Sequence, residues 1–135
     1  MSSIILTPLS QHYLPTGNVM HGLRSSESSY KNFGELYFSR VHPGSFKGWK
    51  RHLQMTMNLI VISGDVRFFF TDGFESYESY TIGDSNYARL TVPPCIWFGF
   101  TGVSTCTSTL CNLADIEHDP TEIERVSPSH FSFTN

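Results

Sequence analysis

The chain has 135 residues, of which 39% are hydrophobic, 14% aromatic and only 16% charged, with a net charge of −3. That is one domain's length with enough apolar material for a core, and not the composition of a disordered chain. No basic surplus marks a nucleic-acid partner, and the apolar run at 59–62 is far too short to span a membrane.

In chain order, short runs rich in Tyr, Phe, Val, Ile and Thr predict strands over 4–6, 34–41, 46–52, 57–63, 66–71, 78–82, 88–92, 96–101 and 108–113. Turn signals stand between them: Pro43-Gly44, Ser63-Gly64-Asp65, Thr71-Asp72-Gly73, Gly83-Asp84-Ser85-Asn86 and Pro93-Pro94. A turn about every ten residues is the spacing of an all-β sandwich or barrel. Residues 25–32 are polar and Ser-rich and read as a loop. Helix is scarce: Asp119-Pro120, with carboxylates following, predicts a single helical turn over 121–125. The expected organisation is one domain, 1–126, followed by a tail, 127–135. The N-terminus has neither a basic flank nor a long apolar core, so no secretory signal is expected. Cys95, Cys106 and Cys111 have no zinc-finger spacing and read as free thiols in a reducing cytoplasm.

The segments GSFKGWKRHLQMTMNLIVISG (44–64) and YARLTVPPCIWFGF (87–100) have a spacing similar to the two cupin motifs. Gly44, Lys50, His52, Met57 and Gly64 fall on the first motif; Tyr87, Pro93, Cys95 and Phe98 fall on the second. The resemblance implies a cupin-type jelly-roll barrel of about nine strands with little helix. The positions where cupins carry metal ligands hold Lys50, His52, Met57 and Phe98. An ammonium, a thioether and a phenyl ring do not build a divalent site, so no metal and no cofactor are expected.

Four further stretches extend the likeness: Phe33-Gly34-Glu35-Leu36-Tyr37-Phe38-Ser39, Lys47-Gly48-Trp49-Lys50-Arg51-His52, Pro93-Pro94-Cys95-Ile96-Trp97-Phe98-Gly99-Phe100 and His118-Asp119-Pro120-Thr121-Glu122. With them the chain resembles a divergent, small subgroup of the dTDP-4-dehydrorhamnose 3,5-epimerase family and its nucleotide-sugar 3,4-ketoisomerase relatives. The resemblance implies a substrate, a dTDP-linked 4-keto-6-deoxy sugar, and a reaction, deprotonation next to the ketone. It also implies a homodimer. Aligned on Gly48, Lys47 stands for the family arginine and Lys50 for its base histidine. Met57 takes the place of the lysine that supports the enolate, and Phe98 that of another histidine. His52 matches the second of two histidines in the ketoisomerases.

Positions 50 and 52 share a strand face. His52 is the expected base because it titrates near neutrality, with Lys50 holding the enolate or acting as base itself. Tyr37 is a candidate proton donor to the far side of the ring. Lys47 and Arg24 are candidates for the pyrophosphate, whereas Arg51 points away by strand parity. Met57 and Phe98 are expected in the pocket wall, Trp97 as a stacking face, and His118 and Asp119 at the pocket mouth. The alternative is a non-catalytic cupin that binds the nucleotide sugar but has lost the family's base histidine, which the apolar Met57 and Phe98 favour.

Overall fold

The computed structural model describes residues 3–133. Strands run in the order β1 (Ile5–Pro8), β2 (Gln11–His12), β3 (Val19–Met20), β4 (Glu35–Val41), β5 (Phe46–His52), β6 (Met57–Ser63), β7 (Asp65–Thr71), β8 (Tyr77–Gly83), β9 (Ala88–Val92), β10 (Trp97–Gly102), β11 (Ser108–Ala114) and β12 (Ile123–Arg125). Two five-stranded antiparallel sheets form the jelly roll, ordered β1-β9-β6-β11-β4 and β12-β5-β10-β7-β8. All nine expected strands are present. The three additional ones, β2, β3 and β12, are too short to show a periodicity.

Alternation builds the core. Along β7, Val66, Phe68 and Phe70 are fully buried while Arg67 and Phe69 lie on the other face. Along β4, Leu36, Phe38 and Arg40 face outward, between Tyr37 and Ser39. Strand β6 departs from the pattern, with Met57 to Val61 all buried. The segment between β3 and β4 covers its outer face. Asn58 Nδ2 donates to Ser29 O at 3.0 Å, and buried Arg89 donates to Gly22 O and to the Glu27 carboxylate.

The helical turn expected over 121–125 is shorter. A 3₁₀ turn spans Pro120–Glu122, with Asp119 as its N-cap accepting from Thr121 N at 3.0 Å. Ile123 to Arg125 then extend and pair with β5, because an unpaired β5 edge is a better partner than another turn of an isolated helix.

One irregularity decides which side chains of β5 face the interior. In the β5–β10 pair, Phe98 opposes Lys50 but Gly99 opposes Gly48, so Trp49 is an extra residue in β5. Such a bulge resets strand parity. It needs glycine at position 48, where φ is +155° and an added Cβ would lie 2.8 Å from Gly99 Cα. Gly48→Ala is therefore expected to destabilise the fold by about 1–3 kcal/mol in urea unfolding, more than the same change at an ordinary strand position.

Candidate active site

A cavity of about 240 Å³ opens between the sheets at one end of the roll. Tyr37, Ser39, Leu110 and Asn112 line it from β4 and β11, and Met57 and Leu59 from β6. The facing sheet contributes Lys47 and Lys50 from β5, Phe98 and Phe100 from β10, and Arg125 from β12. Simple alternation would put Lys47 and Lys50 on opposite faces. The bulge at Trp49 brings both to the cavity.

Lys50 Nζ lies 5.6 Å from the centre of the Phe98 ring. Burial holds its pKa below the usual 10.5, with Arg125 adding to the effect and Glu122 opposing it. Across the cavity, the Tyr37 hydroxyl accepts a hydrogen bond from Asn112 Nδ2 at 3.1 Å, which leaves its own hydrogen free to donate. Burial raises the phenol's pKa above 10.0.

His52 sits one layer behind this wall. Its ring stacks on Phe98 at 6.1 Å and 14°, and only 3% of the residue is exposed. Nδ1 lies 2.5 Å from Glu122 Oε2. The other carboxylate oxygen, Oε1, accepts from Gln54 N and Met55 N, each at 3.0 Å. Glu122 thus fixes the imidazole tautomer, with Nδ1–H donating and Nε2 carrying the lone pair. Nε2 is buried and has no hydrogen-bond partner among the described residues. Burial pulls the His52 pKa below 6.5 against the pull of Glu122. Burial alone would raise the Glu122 pKa, but the hydrogen bonds from His52, Gln54 and Met55 outweigh it and hold it below 4.5.

The structure brings six of the expected site residues together: Tyr37, Lys47, Lys50, Met57 and Phe98 at the cavity, with His52 behind it. Four lie elsewhere in the chain. Arg24 belongs to a separate hollow with His21 and Glu27. Trp97 is on the outer face of its sheet, under the Arg51 guanidinium and against Phe131. Asp119 is an exposed cap, and exposed His118 lines a shallow groove that meets the cavity only at Arg125. Sequence reasoning overlooked Arg125, Asn112 and the pairing of Glu122 with His52. The His118–Glu122 stretch contains the signal, but the expectation rests on His118 and Asp119 at the pocket mouth and not on Glu122. The residues at the cupin metal positions do not fit a divalent cation, and no three His, Cys, Asp or Glu side chains converge among the described residues.

No family model matches the chain. A dTDP sugar isomerase from Desulfovibrio desulfuricans is 32% identical, with a TM-score of 0.93 over 98% of this chain and 90% of its own. The 3,4-ketoisomerase QdtA from Thermoanaerobacterium thermosaccharolyticum, crystallised with TDP, shares the fold at a TM-score of 0.81 and 15% identity, over 96% of this chain and 93% of its own. A probable low-salt glycan biosynthesis epimerase of Haloferax volcanii is 29% identical over 122 residues, 82% of this chain and 77% of its own.

The buried pair links stability to pH. Both folded pKa values lie below their unfolded values, so the unfolded chain takes up protons first as pH falls. The contribution of His52 is complete above about 6.5 and is lost as pH falls through its folded pKa; that of Glu122 follows below about 4.5. In urea unfolding, His52→Asn is expected to flatten the loss of stability that begins below about 6.5 and to shrink the loss below about 4.5, where only the Gln54 and Met55 donors still act on Glu122.

Proposed function

Because the chain belongs to the cupin-fold family of dTDP-sugar isomerases and epimerases, we propose that it isomerises a dTDP-linked 4-keto-6-deoxy sugar. The reaction begins with removal of a proton from a carbon next to the ketone. The observation that carries this reading is the buried His52–Glu122 pair on the strand that presents Lys50 to the cavity, opposite Tyr37.

His52 is the base. Its tautomer is set by Glu122, its Nε2 lone pair is free, and burial keeps it neutral at neutral pH. A base one layer behind the cavity wall closes its hydrogen bond only when substrate is bound. Lys50 holds the enolate oxygen, placing a cation where negative charge develops. Tyr37, on the opposite wall, returns the proton. Return to the same carbon from the other side gives an epimer; return to the former ketone carbon, with the neighbouring hydroxyl proton passing to the former ketone oxygen, moves the ketone. Met57 and Phe98 pack against the deoxy sugar.

A cavity of about 240 Å³ falls below the roughly 300–1,000 Å³ that encloses a whole drug-sized ligand, so it takes the sugar end. Lys47 and Arg125 meet the diphosphate at its rim. The proposed assembly is a homodimer. Strand β4 is a sheet edge, and its Leu36 and Phe38 are 46% and 59% exposed. The free thiols of Cys95, Cys106 and Cys111 support a cytoplasmic setting.

Proton NMR in D₂O tests the reaction, with dTDP-4-keto-6-deoxyglucose made in place by a 4,6-dehydratase. The C3 or C5 proton signal is expected to disappear, at a rate about 10²–10⁴-fold lower in His52→Asn. Nucleotide binding without exchange would leave the passive binding module instead. Tyr37→Phe is expected to keep solvent exchange at the first carbon while product formation falls.

The pH profile separates the two candidate bases. With His52 as base, kcat/KM for exchange rises through a pKa below 6.5 and is flat above it. A rate that climbs through the alkaline range, towards the 10.5 of an unperturbed lysine, would transfer the role to Lys50.

A further inference from the structure

Trp49 is only 3% exposed although it lies on the outer face of its sheet. The segment after β12 covers it. Val126 N donates to Trp49 O at 3.2 Å, and Trp49 Nε1 donates to Pro128 O at 3.1 Å. The Phe131 ring meets the indole edge-on at 5.3 Å, and the Phe133 ring stacks on it at 5.6 Å and 17°. Phe133 also reaches Phe69 on β7 at 4.7 Å and Tyr77 on β8 at 5.0 Å. A strap of aromatic rings therefore runs across the outside of the sheet from β5 to β8.

The strap is continuous with residues that serve the other side of the sheet. Glu122 binds His52 in the interior, and Arg125 lines the cavity. Between them, β12 has three residues and a single neighbour, β5, against which it sets Ile123 opposite His52 and Arg125 opposite Lys50. A three-residue edge strand has little to fix its register by backbone pairing alone. Its two ends are held instead, inside by Glu122 and outside by the rings on Trp49. Trp49 is itself the bulged residue that turns Lys47 and Lys50 to one face.

We infer that Trp49, Phe131 and Phe133 are positioning residues for the catalytic group. The strap clamps the bulge of β5 and the register of β12 from outside, and so keeps Glu122 on His52 and Arg125 at the cavity. None of the three rings lines that cavity. The effect on rate rests on the isomerase reading; the effect on the His52–Glu122 bond does not.

Two readouts on the full chain test this. The first is the downfield proton resonance of His52 Nδ1–H, assigned by its loss in His52→Asn. In a folded Phe131→Ala/Phe133→Ala variant this signal is expected to broaden or vanish. The second is the split of kinetic constants: kcat is expected to fall about tenfold or more, as for a catalytic group held less accurately, with KM changed less. Phe133→Leu, which keeps apolar bulk, is expected to restore most of both. Should the double variant not fold, Trp49→Phe removes the hydrogen bond to Pro128 and part of the surface on which Phe131 and Phe133 pack, and is expected to show a smaller broadening. A sharp, unshifted Nδ1–H signal in the folded double variant, or in Trp49→Phe where the double variant does not fold, would overturn the inference. Broadening of the signal in a protein that catalyses no exchange would sink the isomerase reading and leave the strap's role standing.

Discussion

The buried carboxylate of Glu122 ties the end of β5 and the turn after it to a segment 70 residues further along the chain. It lies at the end of a 3₁₀ turn, is 2% exposed, and accepts from the ring of His52 and the backbone of Gln54 and Met55. A carboxylate with so little access to water is tolerable only with such donors. Each donor belongs to the end of β5 or to the turn after it. The same bonds that satisfy the charge therefore close the end of the barrel, orient the imidazole, and set where β12 begins. Removing the carboxylate would leave two backbone amides and one ring nitrogen unpaired in the interior, a cost spread over both fold and site.

The second constraint is geometric. A regular strand shows alternate residues to one face, so Lys47 and Lys50 cannot share a cavity unless one residue is inserted between them. Trp49 is that insertion. Gly48 permits it, since it pairs with Gly99 at a separation no side chain would allow. The indole then lies outside and needs cover, which Phe46, Phe131 and Phe133 supply. A cationic cavity on one side of β5 and an aromatic patch on the other are thus two consequences of a single extra residue.

Much of the architecture was legible because strands declare themselves locally. The Val- and Phe-rich run 66–71 and the glycine turns at 64, 73 and 83 depend only on near neighbours. The features that were not legible depend on distant ones. Glu122 lies 70 residues from His52 and sits in a turn where Asp119 is the more conspicuous acid. Arg125 reaches the cavity only because β12 pairs with β5. Strand parity correctly set Arg51 apart from Lys50 and His52. It had no means of reporting the bulge that brings Lys47 round. Trp97 offers a stacking face as a ring, yet its adjacency to Phe98 on the strand places it on the outer face. Phe131 and Phe133 read as a tail because two rings in a Ser-rich stretch carry no periodicity. Their meaning appears only against Trp49.

The arrangement of charge bears on how one cavity handles both a dianionic ligand and a proton. The protein as a whole carries −3, yet Lys47, Lys50 and Arg125 all border the cavity. A diphosphate is drawn to such a rim against the sign of the net charge because screening makes near charges dominate. The same cations act on the interior. Lys50 and Arg125 both favour neutral His52, while Glu122, behind the ring, favours the charged form. A bound diphosphate would offset the cations and so strengthen the net pull that Glu122 already exerts, which makes His52 a stronger base once substrate is in place. In the proposed reaction, arrival of the nucleotide at the rim therefore does more than position the sugar. It raises the proton affinity of the group that must take the proton, and it does so only when there is a substrate to take it from.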